Sequence, residues 1–153
     1  MAREIERKFL VDQALWHPPS AGTEFEQGYL STDARRTVRV RIAGDKAFLT
    51  IKGKTTGVAR PEFEYEIPLA DARDMLEMCD APNISKTRYI VPFGGNRWEV
   101  DVFHDANEGL VIAEIELPAE DHDFARPDWA IAEVSHDPRY YNSNLLKFPF
   151  RDW

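Results

Sequence analysis

The chain has 153 residues, 19 Lys+Arg against 27 Asp+Glu for a net charge of −8, and 43% apolar residues. That length and apolar content suit one domain spanning 1–153 with a sizeable core. Apolar runs of only a few residues exclude a membrane-spanning helix, and the acidic balance argues against a nucleic-acid-binding module, so neither membrane nor nucleic acid is an expected partner. The one cysteine, Cys79, cannot form an intrachain disulfide, and no charged-then-apolar leader opens the chain. A cytoplasmic location is therefore expected.

Period-two alternation predicts about eight strands, over 3–11, 24–30, 37–43, 46–52, 60–68, 84–92, 97–104 and 110–117. Gly44-Asp45 is placed to turn a hairpin between the third and fourth, Gly94-Gly95-Asn96 between the sixth and seventh, and Asn107-Glu108-Gly109 precedes the eighth. Between the first two, 12–22 reads as a loop, or a short helix followed by a loop, broken by Pro18, Pro19 and Gly22. After the fifth strand, Leu69, Ala72, Leu76 and Cys79 form an apolar stripe at helical spacing, with Asp71 as the expected N-cap and Asp74 three residues on. A second short helix is predicted over 118–125, and the tail 138–146 is predicted to be partly helical. This inventory points to an α+β chain whose antiparallel sheet is curled or closed, with a few short helices outside it.

One face of nearly every strand is charged. Glu4, Glu6 and Lys8 alternate with Ile5, Arg7 and Phe9; Arg39 and Arg41 with Val38, Val40 and Ile42; and Lys52 follows Ile51. Arg60, Glu62 and Glu64, then Lys86 and Arg88, then Glu99 and Asp101, then Glu114 and Glu116 repeat the pattern. Residues two apart on a strand share a face roughly 6.5–7 Å apart. A solvated face of an antiparallel sheet gives such alternation, but tolerates Ser, Thr, Asn and Gln as readily as these charges. The other arrangement is a barrel interior, which needs cations for its acids and an anion for its bases. Clustered carboxylates without Cys or paired His suit Mg2+ or Mn2+, and Arg and Lys suit phosphate oxygens. A linear polyphosphate bridged to a divalent metal satisfies both walls. Phe9, Phe63, Tyr65, Tyr89 and Trp98 carry the opposite parity, so few aromatics are expected where a nucleobase would need to stack.

The motifs resemble the CYTH superfamily, the triphosphate tunnel metalloenzymes. Glu4-Ile5-Glu6-Arg7-Lys8 matches the Glu-x-Glu-x-Lys signature, and Arg39-Val40-Arg41, Thr50-Ile51-Lys52-Gly53, Arg60-Pro61-Glu62-Phe63-Glu64, Lys86-Thr87-Arg88-Tyr89, Glu99-Val100-Asp101 and Glu114-Ile115-Glu116 follow in family order. The C-terminal stretch from Glu133-Val134 through Asp137-Pro138-Arg139-Tyr140-Tyr141-Asn142-Ser143-Asn144-Leu145 is similar to that of short bacterial members. The resemblance implies a closed tunnel of eight antiparallel strands. It implies triphosphate binding by Lys8, Arg39, Arg41, Lys52, Lys86 and Arg88. It implies metal binding by Glu4, Glu6, Glu114 and Glu116, with Glu62, Glu64 and Asp101 in or beside the set, and Glu4, Glu6, Lys8, Glu114 and Glu116 as the catalytic group.

Short members look most like inorganic triphosphatases, so metal-dependent hydrolysis of a small-molecule triphosphate is the expected activity. Adenylate cyclase, nucleoside or thiamine triphosphatase, and a non-catalytic polyphosphate-binding module remain open as alternatives. The sequence leaves the oligomeric state open. His17, His104, His122 and His136 lack metal-ligand spacing, and Lys54–Gly57 lacks the frame of a P-loop.

Overall fold

The structure is a computed structural model that describes residues 3–79 and 82–153. In chain order the strands are β1 (Arg3–Val11), β2 (Thr23–Ser31), β3 (Arg36–Ala43), β4 (Lys46–Gly53), β5 (Ala59–Ile67), β6 (Ile84–Phe93), β7 (Asn96–Phe103), β8 (Val111–Glu116) and β9 (Ala130–Glu133). The helices are α1 (Leu69–Glu77) and α2 (Asn142–Lys147), with single 3-10 turns at Asp105–Asn107, Pro138–Tyr140 and Phe150–Asp152. Among the described residues no helix is long and apolar enough to cross a membrane.

The strands run in the order β5-β4-β3-β2-β6-β7-β8-β1-β9, and a β5–β1 pairing closes the first eight into an antiparallel barrel. The closure uses one edge of β1 twice. Its first residues pair with β5 through Arg3↔Pro61, Glu4↔Arg60 and Ile5↔Ala59. Its last residues pair with β9 through Phe9↔Glu133 and Leu10↔Ala132. Between them, Glu6 N donates to Val58 O at 3.2 Å and Lys8 N to the Ser135 hydroxyl at 2.9 Å, so the shared edge stays bonded. A closed sheet leaves no long unpaired edge to template another chain. The β6–β7 hairpin turns on Gly94 and Gly95, both with positive φ (58° and 78°), a two-residue turn that a side chain would strain.

Apolar residues of outward parity are buried beneath what packs on the barrel. Ile5, Phe9, Trp98, Val100, Ala113 and Ile115 form the largest cluster, covered by Phe124 and Trp129. Val40 and Ala47 of β3 and β4 pack under Ala72 and Leu76 of α1. A third cluster joins Ile84, Phe103 and Ile112 to Tyr140 and Leu145 of the C-terminal segment.

Three local expectations differ from the structure. The helix α1 starts two residues before Asp71, with Pro68 at the N-cap position and no side-chain cap; Asp71 lies in the first turn, where its charge still favours the helix end. Cys79 lies past the end of α1 rather than on its stripe. Residues 118–125 form turns and loop rather than a helix, and a ninth strand, β9, follows them.

Candidate active site

Strand parity decides the lining. Cross-strand partners share a face, and the register couples Thr37↔Lys52, Arg39↔Thr50 and Lys52↔Glu62. It then couples Tyr29↔Arg39, Phe25↔Lys86, Arg88↔Asp101, Glu99↔Glu114, Lys8↔Glu114, Glu6↔Glu116 and Glu4↔Arg60, completing the circuit. All of these share the inward parity. A cavity of about 210 Å3 occupies the lumen, lined by Glu4, Glu6, Lys8, Arg39, Arg41, Lys52, Glu62, Glu64, Lys86, Arg88, Glu114 and Glu116 among others. Every predicted site residue except Asp101 lines this cavity.

The lining is segregated. Arg39 and Arg41 on β3, and Lys86 and Arg88 on β6, flank β2 and make one basic wall of three adjacent strands. Across the lumen, Glu99 on β7, Glu114 and Glu116 on β8, Glu4 and Glu6 on β1, and Glu62 and Glu64 on β5 make an acidic wall. Two lysines are set into the acidic side. Lys52 Nζ lies 2.9 Å from Glu4 and 3.4 Å from Glu62; Lys8 Nζ lies 3.8 Å from Glu114 and 3.9 Å from Glu6.

Asp101, expected in or beside the metal set, does not line the cavity. It is fully buried, receives Lys86 Nζ at 2.8 Å, and is held by the Arg88 guanidinium at 2.8 and 2.9 Å. Burial would raise its carboxyl, but Arg88 and Lys86 hold it well below the usual carboxylate range. It stands behind the basic wall, bonded to two of its cations. Glu64 is similarly engaged: it accepts from the Thr50 hydroxyl at 2.7 Å and from Arg39 at 3.5 Å, contacts that outweigh burial and lower its pKa.

The acidic wall is electrostatically unfinished. Burial raises the Glu4, Glu114 and Glu116 carboxyls above the ordinary glutamate value, and neighbouring acids add to it: Glu62 on Glu4, Glu6 on Glu114, and Glu4 and Glu99 on Glu116. Glu6 and Glu116 are direct cross-strand partners, as are Glu99 and Glu114. Like charges so placed repel. The donor set is all oxygen, which suits a hard divalent cation. In the side-chain arrangement shown, the acids are drawn to Lys52 and Lys8, and no three described His, Cys, Asp or Glu side chains converge closely enough to hold a metal. On the opposite wall, burial and repulsion from Arg39 and Arg88 lower Arg41 to about 10, and burial lowers Lys86 to about 8.

Several lining residues escape the charge pattern. Tyr29 comes from β2, whose charged residues Glu24 and Glu26 have the outward parity, so that strand gives no inward signal. Phe25 and Phe103 have inward parity too but do not line the cavity. Tyr141, Asn142 and Ser143 reach the lumen from the C-terminal segment. The Asn142 side-chain oxygen accepts from Gln27 at 3.2 Å and from Lys86 at 3.4 Å, and the Lys8 ammonium lies 5.6 Å from the centroid of the Tyr141 ring. Beyond this level the inward residues turn apolar, with Leu10, Ile84, Phe103 and Ile112 packed against Tyr140 and Leu145. The C-terminal segment thus covers one end of the barrel.

The CYTH domain family matches residues 2–141. The chain belongs to the CYTH family. Its CYTH barrel is 49% identical, over all of the chain and 99% of the relative, to a protein of Acetivibrio thermocellus named inorganic triphosphatase. A Nitrosomonas europaea protein of the same name is 34% identical over 93% of the chain and 95% of its own length. Among solved structures, the crystal structure of an inorganic triphosphatase superposes with a TM-score of 0.67 at 32% identity, covering 95% of both chains. A Pyrococcus horikoshii protein, at 18% identity, shares the fold with a TM-score of 0.54 over 77% of this chain and 80% of its own.

Proposed function

We propose that the chain hydrolyses inorganic triphosphate to pyrophosphate and phosphate, with Mg2+ or Mn2+ held on the acidic wall. The observation that carries this reading is the opposition of a basic and an acidic wall inside one cavity. A polyanion alone satisfies the first wall and leaves the second repelling; a polyanion carrying a divalent cation satisfies both. The two relatives named inorganic triphosphatase support the same reaction.

Arg39, Arg41, Lys86 and Arg88 would grip the phosphate oxygens, the guanidinium forks giving orientation and the ammonium giving point charge. Lys52 and Lys8 would reach the chain from the acidic side. Glu4, Glu6, Glu114 and Glu116, with Glu62 beside them, would hold the cation. Asp101 and Glu64 we assign to aiming the basic side chains. The cation, when bound, supplies charge neutralisation at the phosphates and acidifies water. Among the described residues no Cys or His lines the cavity, the lining Ser135 hydroxyl already donates to Glu133 at 2.6 Å and accepts from the Lys8 amide, and none of the lining Thr37, Thr55 and Ser143 hydroxyls donates to a carboxylate that could serve as its base. Direct attack by water is therefore favoured over a covalent intermediate.

Phosphate release from inorganic triphosphate and from ATP, with each metal and with chelator, tests the proposal. Activity should vanish in EDTA, and Glu116→Gln should lower kcat by roughly a hundredfold, the scale set by losing one group that stabilises transition-state charge. The binding energy comes mainly from phosphates, so kcat/KM should favour inorganic triphosphate over ATP by at least about tenfold, about 1.4 kcal/mol. Full activity in EDTA, equal efficiency on both substrates, or cyclic AMP as the main product of ATP would overturn it.

A further inference from the structure

Phe25 occupies an unusual position for an aromatic residue. It lies on β2 at inward parity, directly opposite Lys86 on β6, in the middle of the basic wall. It is 8% exposed and lies behind the cavity lining rather than in it. Three cations gather on its ring: the Arg88 guanidinium 4.7 Å from the centroid, the Arg41 guanidinium at 4.8 Å and the Lys86 ammonium at 5.9 Å. A ring face carries negative potential and attracts cations most strongly where water is excluded.

The three cations differ in what else holds them. Arg88 is clamped bidentately by Asp101, and Lys86 is bonded to the same carboxylate. Arg41 has no such clamp. Its ion pair with Glu64 spans 3.6 Å, its buried Nε finds no hydrogen-bond partner, and it makes no side-chain hydrogen bond among the described residues. Neighbouring Arg39 and Arg88 repel it. Besides the single 3.6 Å ion pair with Glu64, the ring of Phe25, 4.8 Å from the guanidinium carbon, is the contact that holds Arg41 in place.

We propose that Phe25 is a positioning residue for triphosphate binding: its ring holds the Arg41 guanidinium, between two repelling neighbours, in the orientation that receives a phosphate oxygen pair. The inference rests on the reading that the basic wall binds triphosphate. The ring supplements the single Glu64 contact where Arg88 and Lys86 have the hydrogen-bonded Asp101 carboxylate, and does so without adding an anion that would compete with the substrate.

The test compares wild type, Phe25→Leu, Phe25→Tyr, Arg41→Ala and the Phe25→Leu/Arg41→Ala double variant. Each is measured for steady-state kinetics on inorganic triphosphate with Mg2+, for triphosphate binding by titration calorimetry, and for thermal melting. Phe25→Leu should raise KM by about tenfold while kcat stays within about threefold, because positioning for binding is lost and the chemistry is not. Phe25→Tyr, which keeps the ring, should restore KM to within about threefold of wild type. In the Arg41→Ala background Phe25→Leu should add little, since its effect is carried by Arg41. Wild-type KM in Phe25→Leu overturns the proposal. So does a fall in kcat at unchanged KM, or a full additive loss in the double variant, either of which marks a merely structural ring. If Phe25→Leu melts below assay temperature, Phe25→Met replaces it in the same comparison. Failure of the wild type to turn over triphosphate would sink the enzymatic reading, whereas the calorimetric comparison still decides the role of Phe25.

Discussion

Glu116 stands opposite Glu6, with Glu4 and Glu99 nearby, and its carboxyl is raised above the ordinary value of 4.5 by burial and by those acids. A raised folded pKa means that ionisation works against the fold. The contribution of Glu116 to the stability of the metal-free protein is fully present below the unfolded value and is lost as pH rises through the folded one. Glu116→Gln should therefore melt higher than wild type near pH 8 in chelator, and the gap should close as the pH falls toward 5. A gap that is constant with pH, or of opposite sign, would show that the acidic wall carries no such repulsion. The parity of the charged residues, Arg39 with Arg41 and Glu114 with Glu116, was legible in the sequence because burial of a charge is rare enough to stand out. The role of Asp101 was not legible: alternation marks which face a residue occupies, and only depth separates a carboxylate that lines the cavity from one that buttresses it.

At the scale of elements, the strands were readable and the connection after β8 was not. The stretch 118–125 has Phe124 as its one large apolar residue and no stripe at helical spacing, so a helix there would bury nothing along its length. It forms a loop instead, pinned by that ring, whose centroid lies 5.9 Å from Trp98 and 6.1 Å from Phe9. The strand β9 was hidden for a different reason. It is four residues long and half alanine, and it exists because β5 leaves the end of β1 unpaired. Phe124→Ala should cost about 2 kcal/mol of stability, as expected for a half-buried aromatic ring, and leave KM for triphosphate unchanged. Urea denaturation read beside steady-state kinetics checks both parts; a shifted KM would mean that the outer cluster sets the geometry of the lumen.

At the scale of the whole molecule, the alternating charges pointed to a sheet that is curled or closed but left a solvated face open, and the closed tunnel was an expectation of the family resemblance, which the β5–β1 pairing bears out. The covered end was only half legible, since Tyr140, Tyr141 and Asn142 read equally well as closing one mouth and as a plain docking helix. It depends on Leu10, Ile84, Phe103 and Ile112, inward residues that carry no charge, meeting Leu145 from the far end of the chain. A passage covered at one end behaves as a stack, in which the first phosphate to enter is the last to leave. After cleavage the outer fragment must depart before the inner one can. The inner fragment is then the product that leaves the free enzyme behind, and it should inhibit competitively against triphosphate, while the outer fragment inhibits in a mixed manner. Product inhibition by phosphate and by pyrophosphate, measured side by side, would thus report which end of the triphosphate is cut; competitive inhibition by both would mean that departure has no order and the covered end is a second door.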